Sequence, residues 1–116
     1  MAVTSSQNNG DGIARFASGS YIDTGTAAAI EIDCGFTPRY VKVVNVTVAG
    51  ESGCAIEWFD GMTAAYGYKT HDAGSSEAGF AVITSLGITT SEHGFTIGLD
   101  TDLNVTSEQL HWIAIG

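Results

Sequence analysis

At 116 residues and 12.0 kDa the chain has room for one hydrophobic core and none for a second domain. Its 13 acidic against 4 basic side chains give a formal charge of −9, the wrong sign for neutralising phosphates, so nucleic acid is not an expected partner. Val, Ile and Thr supply 31 residues against 4 Leu, beside 15 Gly, a balance that favours strands joined by tight turns over helices.

Residues 1–12, MAVTSSQNNGDG, hold little apolar content beyond Ala2 and Val3 and cannot fold alone. They read as a flexible arm that orders on a neighbouring subunit, with Val3, Asn8 and Asn9 as its candidate contacts. The segment has neither the basic start nor the apolar stretch of a secretory leader, and no run approaches the roughly 20 apolar residues of a membrane span. Synthesis in a cytoplasm and no membrane partner are the expectations.

Residues 13–116 read as a single β-domain. Ile30, Ile32 and Cys34 alternate with Glu31 and Asp33, and Cys54, Ile56 and Trp58 alternate with Ala55, Glu57 and Phe59, each the period of a half-buried strand. Between them, Val41 and Val43 share one parity while Val44, Val46 and Val48 share the other, which predicts either a β-bulge at Val43-Val44 or a strand covered on both faces. Phe80 and Val82, then Phe95, Ile97 and Leu99, continue the alternation. Leu110 to Ile115 is apolar on both faces after His111, so it belongs inside a sheet or under a partner. Turn signals at Asp60-Gly61, residues 73–76 and residues 100–102 divide the runs. The pattern predicts an antiparallel β-sandwich, jelly-roll or immunoglobulin-like, of seven to eight short strands, with Trp58 and Trp112 in its core.

Chemistry leaves little trace. His71, His93 and His111 stand far apart with no second ligand beside any of them, so no metal is expected. Asp100, Asp102 and Asn104 imitate the start of a calcium loop, but Val105 replaces its glycine and His111 its bidentate glutamate. No nucleophile elbow, phosphate loop or dinucleotide fingerprint occurs, and neither catalysis nor a cofactor is expected. Cys34 and Cys54 are too few for a disulfide framework and read as free, buried thiols. Aromatic side chains gather near the Asp60-Gly61 turn, where Phe59, Met62, Tyr66 and Tyr68 are candidate partner-binding residues.

Four segments, GFTPRYVKVVN (35–45), EWFDGM (57–62), GFTIGLD (94–100) and QLHWIAIG (109–116), resemble in kind and order those of small structural proteins of tailed-bacteriophage particles. The resemblance covers residues 30–116 and implies a virion protein without catalytic residues. It points first to a capsid decoration (cement) protein on the head surface, bound to the major capsid protein. A head- or tail-fibre or receptor-binding module with lectin-like recognition is the alternative. The short arm, and the absence of heptads or shaft repeats, favour decoration. Apolar groups on both faces of residues 113–115, both parities of residues 40–48 and at Phe59 exceed what one core can bury, so a homo-oligomer is expected, a trimer ahead of a dimer.

Overall fold

The computed structural model describes residues 15–22, 25–26, 28–47, 54–71 and 79–116. Along them run β1 (Phe16–Ile22), β2 (Ile30–Asp33), β3 (Tyr40–Asn45), β4 (Cys54–Phe59), β5 (Tyr66–His71), β6 (Phe80–Thr90), β7 (Gly94–Ile97) and β8 (Gln109–Ile115). All eight join one antiparallel sheet in the order β1-β8-β3-β4-β5-β6-β7-β2. Strands β3 to β7 form a meander, β8 returns to lie between β1 and β3, and β1 and β2 are the edges. The fold is all-β, and β8 has a neighbour on each side, in keeping with its apolar content. The proposed arm, residues 1–12, lies outside the described residues.

A two-sheet sandwich does not form. Alternation says that one face of a strand is buried but not what covers it. Here the ladder runs unbroken from β1 to β2, and the sheet curls strongly into an open half-barrel whose inner face packs on itself. A sharp corner lies between β5 and β6. Their register jumps from Gly67 opposite Ile83 to Tyr66 opposite Ile88, so residues 84–87 of β6 have no counterpart on β5. Such an insertion bends a strand and raises its twist. Leu86 takes a left-handed φ of 62°, and Gly87 follows where a Cβ would stand 2.3 Å from the Tyr66 carbonyl oxygen. Only glycine allows that approach.

The inner face carries Val41, Val43 and Asn45 of β3, Cys54, Ile56 and Trp58 of β4, and Leu110 and Ala114 of β8. Val41 lies between Trp58 and Ala114, and Val43 between Ile56 and Trp112, so the core is a grid set by register. Ile88, Phe95, Ile97 and Ile30 extend it across the curl, and Phe36 and Leu103 enter from loops. Trp112 is half-buried, edge-on to Phe95 at 5.3 Å and lying over Gly19, whose missing Cβ leaves room for the indole.

The expected bulge at Val43-Val44 is absent. Strand β3 keeps continuous register with both β4 and β8 from Tyr40 to Asn45, and Val44 simply faces outward, half-buried. Tyr66 and Tyr68, placed by sequence around a turn, belong to β5. Both cysteines are free, but only Cys54 is buried; half-buried Cys34 donates its thiol to the Phe36 carbonyl at 3.4 Å.

Candidate interaction surface

One polar cluster sits on the inner side of the sheet. Lys69 on β5 reaches Asp100 Oδ2 at 3.0 Å and Asp102 Oδ2 at 2.6 Å, and His71 Nε2 lies 3.3 Å from Asp102 Oδ1. Asp100 is buried, and its Oδ1 accepts the backbone N–H groups of Asp102 and Leu103, which folds the 100–104 turn over the core. The turn that imitates a calcium loop therefore converges on the Lys69 ammonium, and its shape is explained without a metal. Asn45 anchors the next stretch by donating to the Leu103 carbonyl at 3.0 Å and to Glu108 Oε1 at 2.8 Å.

Cys54 stands directly opposite His71 in the ladder, so a thiol, an imidazole and a carboxylate share this corner. Its chemistry is the reverse of a nucleophile's. Burial, and next the charge of Asp100, push the Cys54 thiol up to about 12, whereas reactive cysteines are partly exposed and shifted down. The cluster holds the 100–104 turn in place.

These groups dictate how stability responds to alkali. Burial, together with the hydrogen bond donated to Glu57 Oε2 at 2.5 Å, pushes the Tyr40 hydroxyl up to about 12. Burial alone would lower the Lys69 pKa, but its hydrogen bonds to Asp102 and Asp100 outweigh that and raise it above 10.5. In all three cases the folded chain keeps a proton that the unfolded chain has already lost. Their stabilisation is therefore complete below the ordinary cysteine value of 9.0 and is lost as pH rises toward about 12. The urea midpoint should fall steeply above about pH 9, and Cys54→Ala should delay the onset; a midpoint unchanged at about pH 11 would contradict the assignment.

The outer face is different in kind. Register aligns its side chains in rows across six strands, from β1 through β8, β3, β4 and β5 to β6. The first row is Phe16, Ile115, Tyr40 and Phe59. The second is Ser18, Ile113, Lys42, Glu57, Tyr68 and Val82, and the third is Ser20, His111, Val44, Ala55, Thr70 and Phe80. Phe80 is 65% exposed, Phe16 64%, Val82 63% and Phe59 45%. The rings pair on the surface, Tyr40 with Phe59 at 5.4 Å and Tyr68 with Phe80 at 6.1 Å. Beside His111, Lys42 and Glu57 are the only acidic or basic residues in these rows, and they oppose each other, so the face is close to neutral on a chain of charge −9.

The face also has relief. The small Ser18 and Ser20 leave a trough of about 510 Å³ at the β1 side, floored by Ile113, His111, Lys42 and Val44. At the other side Tyr68, Phe80 and Val82 stand out as a ridge.

Among the residues singled out from sequence, Phe59 and Tyr68 lie on this face. Met62 instead packs against the core, its sulfur accepting the Phe59 N–H at 3.2 Å. Tyr66 lies beyond the register jump in the β5–β6 pairing, half-buried opposite Ile88, whereas Tyr68 faces Val82. Val3, Asn8 and Asn9 fall outside the described residues. Phe16, Phe80 and Val82 are the residues that sequence reasoning missed, since Phe80 and Val82 carry the same alternation as a core strand. No protein-family model matches the chain, and neither a curated protein nor a solved structure matches it.

Proposed function

We propose that this chain is a non-enzymatic virion structural protein, a capsid decoration protein that binds the outer surface of a tailed-phage head and stabilises contacts between major capsid subunits. The observation that carries the reading is the exposed apolar outer face. Phe16, Phe59, Phe80 and Val82 all stand exposed on it, and large apolar side chains gathered on one face favour contact with a macromolecular partner. The buried Cys54 and the internally paired Lys69 cluster are consistent with a role in assembly, and the net charge favours solubility of the free chain. The virion setting rests on the resemblance of the four segments named above. The exposed Tyr68–Phe80 ring pair favours one second reading, a fibre or receptor-binding module with lectin-like recognition.

Copy number separates the two. Densitometry of purified particles should find the protein in hundreds of copies per head. A dozen or fewer would favour the fibre reading, and complete absence from particles would overturn both.

A further inference from the structure

We infer that the trough on the β1 side of the outer face is a carbohydrate site that takes one carboxylate-bearing sugar ring, a hexuronic acid unit, with its carboxylate at Lys42 and His111. The inference goes beyond the assembly reading and does not rest on it. Six side chains build the trough as a grid on three neighbouring strands: Ser18 and Ser20 on β1, Ile113 and His111 on β8, Lys42 and Val44 on β3. Register puts Ser18, Ile113 and Lys42 side by side, and likewise Ser20, His111 and Val44. Lys42 and His111 are therefore diagonal neighbours on adjacent strands, a spacing of about 7–8 Å that one carboxylate between their long side chains spans.

Neither nitrogen group is engaged elsewhere. Glu57 opposes Lys42 in the β3–β4 ladder, yet its Oε2 accepts the Tyr40 hydroxyl. Among the described residues no ion pair or hydrogen bond holds the Lys42 or His111 side chain, whereas Lys69 and Arg39 are held by aspartates. The opposite wall is built for hydroxyls. Gly116 donates its N–H to the Arg15 carbonyl, which fixes the alternation of the β1–β8 ladder: residues 17, 19 and 21 bond to β8, while the backbone N–H and C=O groups of Ser18 and Ser20 face the open edge. Together with the two serine hydroxyls they offer donors and acceptors to a polyol, and Ile113 and Val44 give its C–H face an apolar floor.

Size and charge select the ligand class. A trough of about 510 Å³ lies within the roughly 300–1,000 Å³ range of small-molecule sites and accommodates one or two sugar rings. One ammonium matches one negative charge, and a chain of −9 disfavours a phosphate dianion or a densely charged polymer. The exposed rings Phe59, Tyr68 and Phe80 belong to β4, β5 and β6, on the other half of the face, so a partner seated on them leaves the trough accessible.

Titration of the ¹⁵N-labelled full chain with methyl glucuronide, followed by amide NMR shifts, tests the inference. Saturable shifts should centre on Ser18, Ser20, Lys42, His111 and Ile113, with a Kd of roughly 1 mM, as suits a small polar ligand. Methyl glucoside, which lacks the carboxylate, and acetate, which lacks the ring, should each bind at least tenfold more weakly; the first reports the sugar alone and the second the carboxylate alone. Lys42→Met should weaken glucuronide at least tenfold by removing the charge. Ser18→Leu should do the same by filling the trough while Lys42 and His111 remain. Both positions lie on the outer face, Ser18 exposed and Lys42 half-buried, so the variants should fold like the parent, which circular dichroism verifies. No saturable shift at the trough, glucoside or acetate binding as tightly as glucuronide, or a Lys42→Met protein that binds like the parent would each overturn the site. None of these outcomes depends on the copy number on particles, so the inference and the virion reading fail separately.

Discussion

Lys69→Met should cost about 3–5 kcal/mol, a large share of the 5–15 kcal/mol that typically holds a domain folded. The Lys69 ammonium is the charge that sits between Asp100 and Asp102, and the Asp100 side chain is only 8% exposed. Methionine preserves the length and apolar stem of the side chain while removing the charge. Two adjacent carboxylates then remain, one of them buried and held only by the N–H groups of Asp102 and Leu103. Leaving a buried charge without its partner is far more costly than the intact pair is favourable. The loss should appear as a lower thermal midpoint, with part of it recovered by also changing Asp100 to Asn. A Lys69→Met protein that melts like the parent would show that the 100–104 turn contributes nothing to the fold.

The second large effect belongs to the core. Trp58 is 6% exposed, lies opposite Val41 in the β3–β4 ladder and donates its indole N–H to the Thr63 carbonyl at 3.3 Å. Truncation to alanine removes that packing and leaves a cavity in the inner grid, while the Thr63 carbonyl keeps the Tyr66 N–H at 3.1 Å. The expected cost is about 3–5 kcal/mol. Trp112→Ala should cost less, because Trp112 is half-buried, edge-on to Phe95 and packed over Gly19 of the edge strand β1. Equal losses in the two variants, measured by urea denaturation, would mean that the inner face is covered more evenly than the half-barrel implies.

Strand content was legible in the sequence because alternation reports burial directly. Ile30 to Asp33, Cys54 to Phe59 and Leu110 to Ile115 all fall in strands with the inward parity that their apolar residues suggest. The number of sheets was not legible, because one curled sheet and two stacked sheets both ask each strand for one apolar face. What decides between them is non-local: the ladder that joins β8 to both β1 and β3, and the register jump at Tyr66 and Gly67.

The same limit applies to the surface. Phe80 and Val82 look like core residues in a one-dimensional pattern, and only their register with Thr70 and Tyr68 shows that they face outward. By contrast, the apolar surplus at Phe59 and residues 113–115 was visible from parity alone. The structure places Phe59, Ile113 and Ile115 together on the outer rows.

The central claim is that this outer face works by being covered. Hydroxyl-radical footprinting of Phe59, Tyr68 and Phe80 tests it most directly, with the free protein compared against the protein bound to purified particles. The account predicts clear protection of all three rings on particles and full labelling in the free protein. Equal labelling in both would show that the face stays in water, and the assembly account would fall.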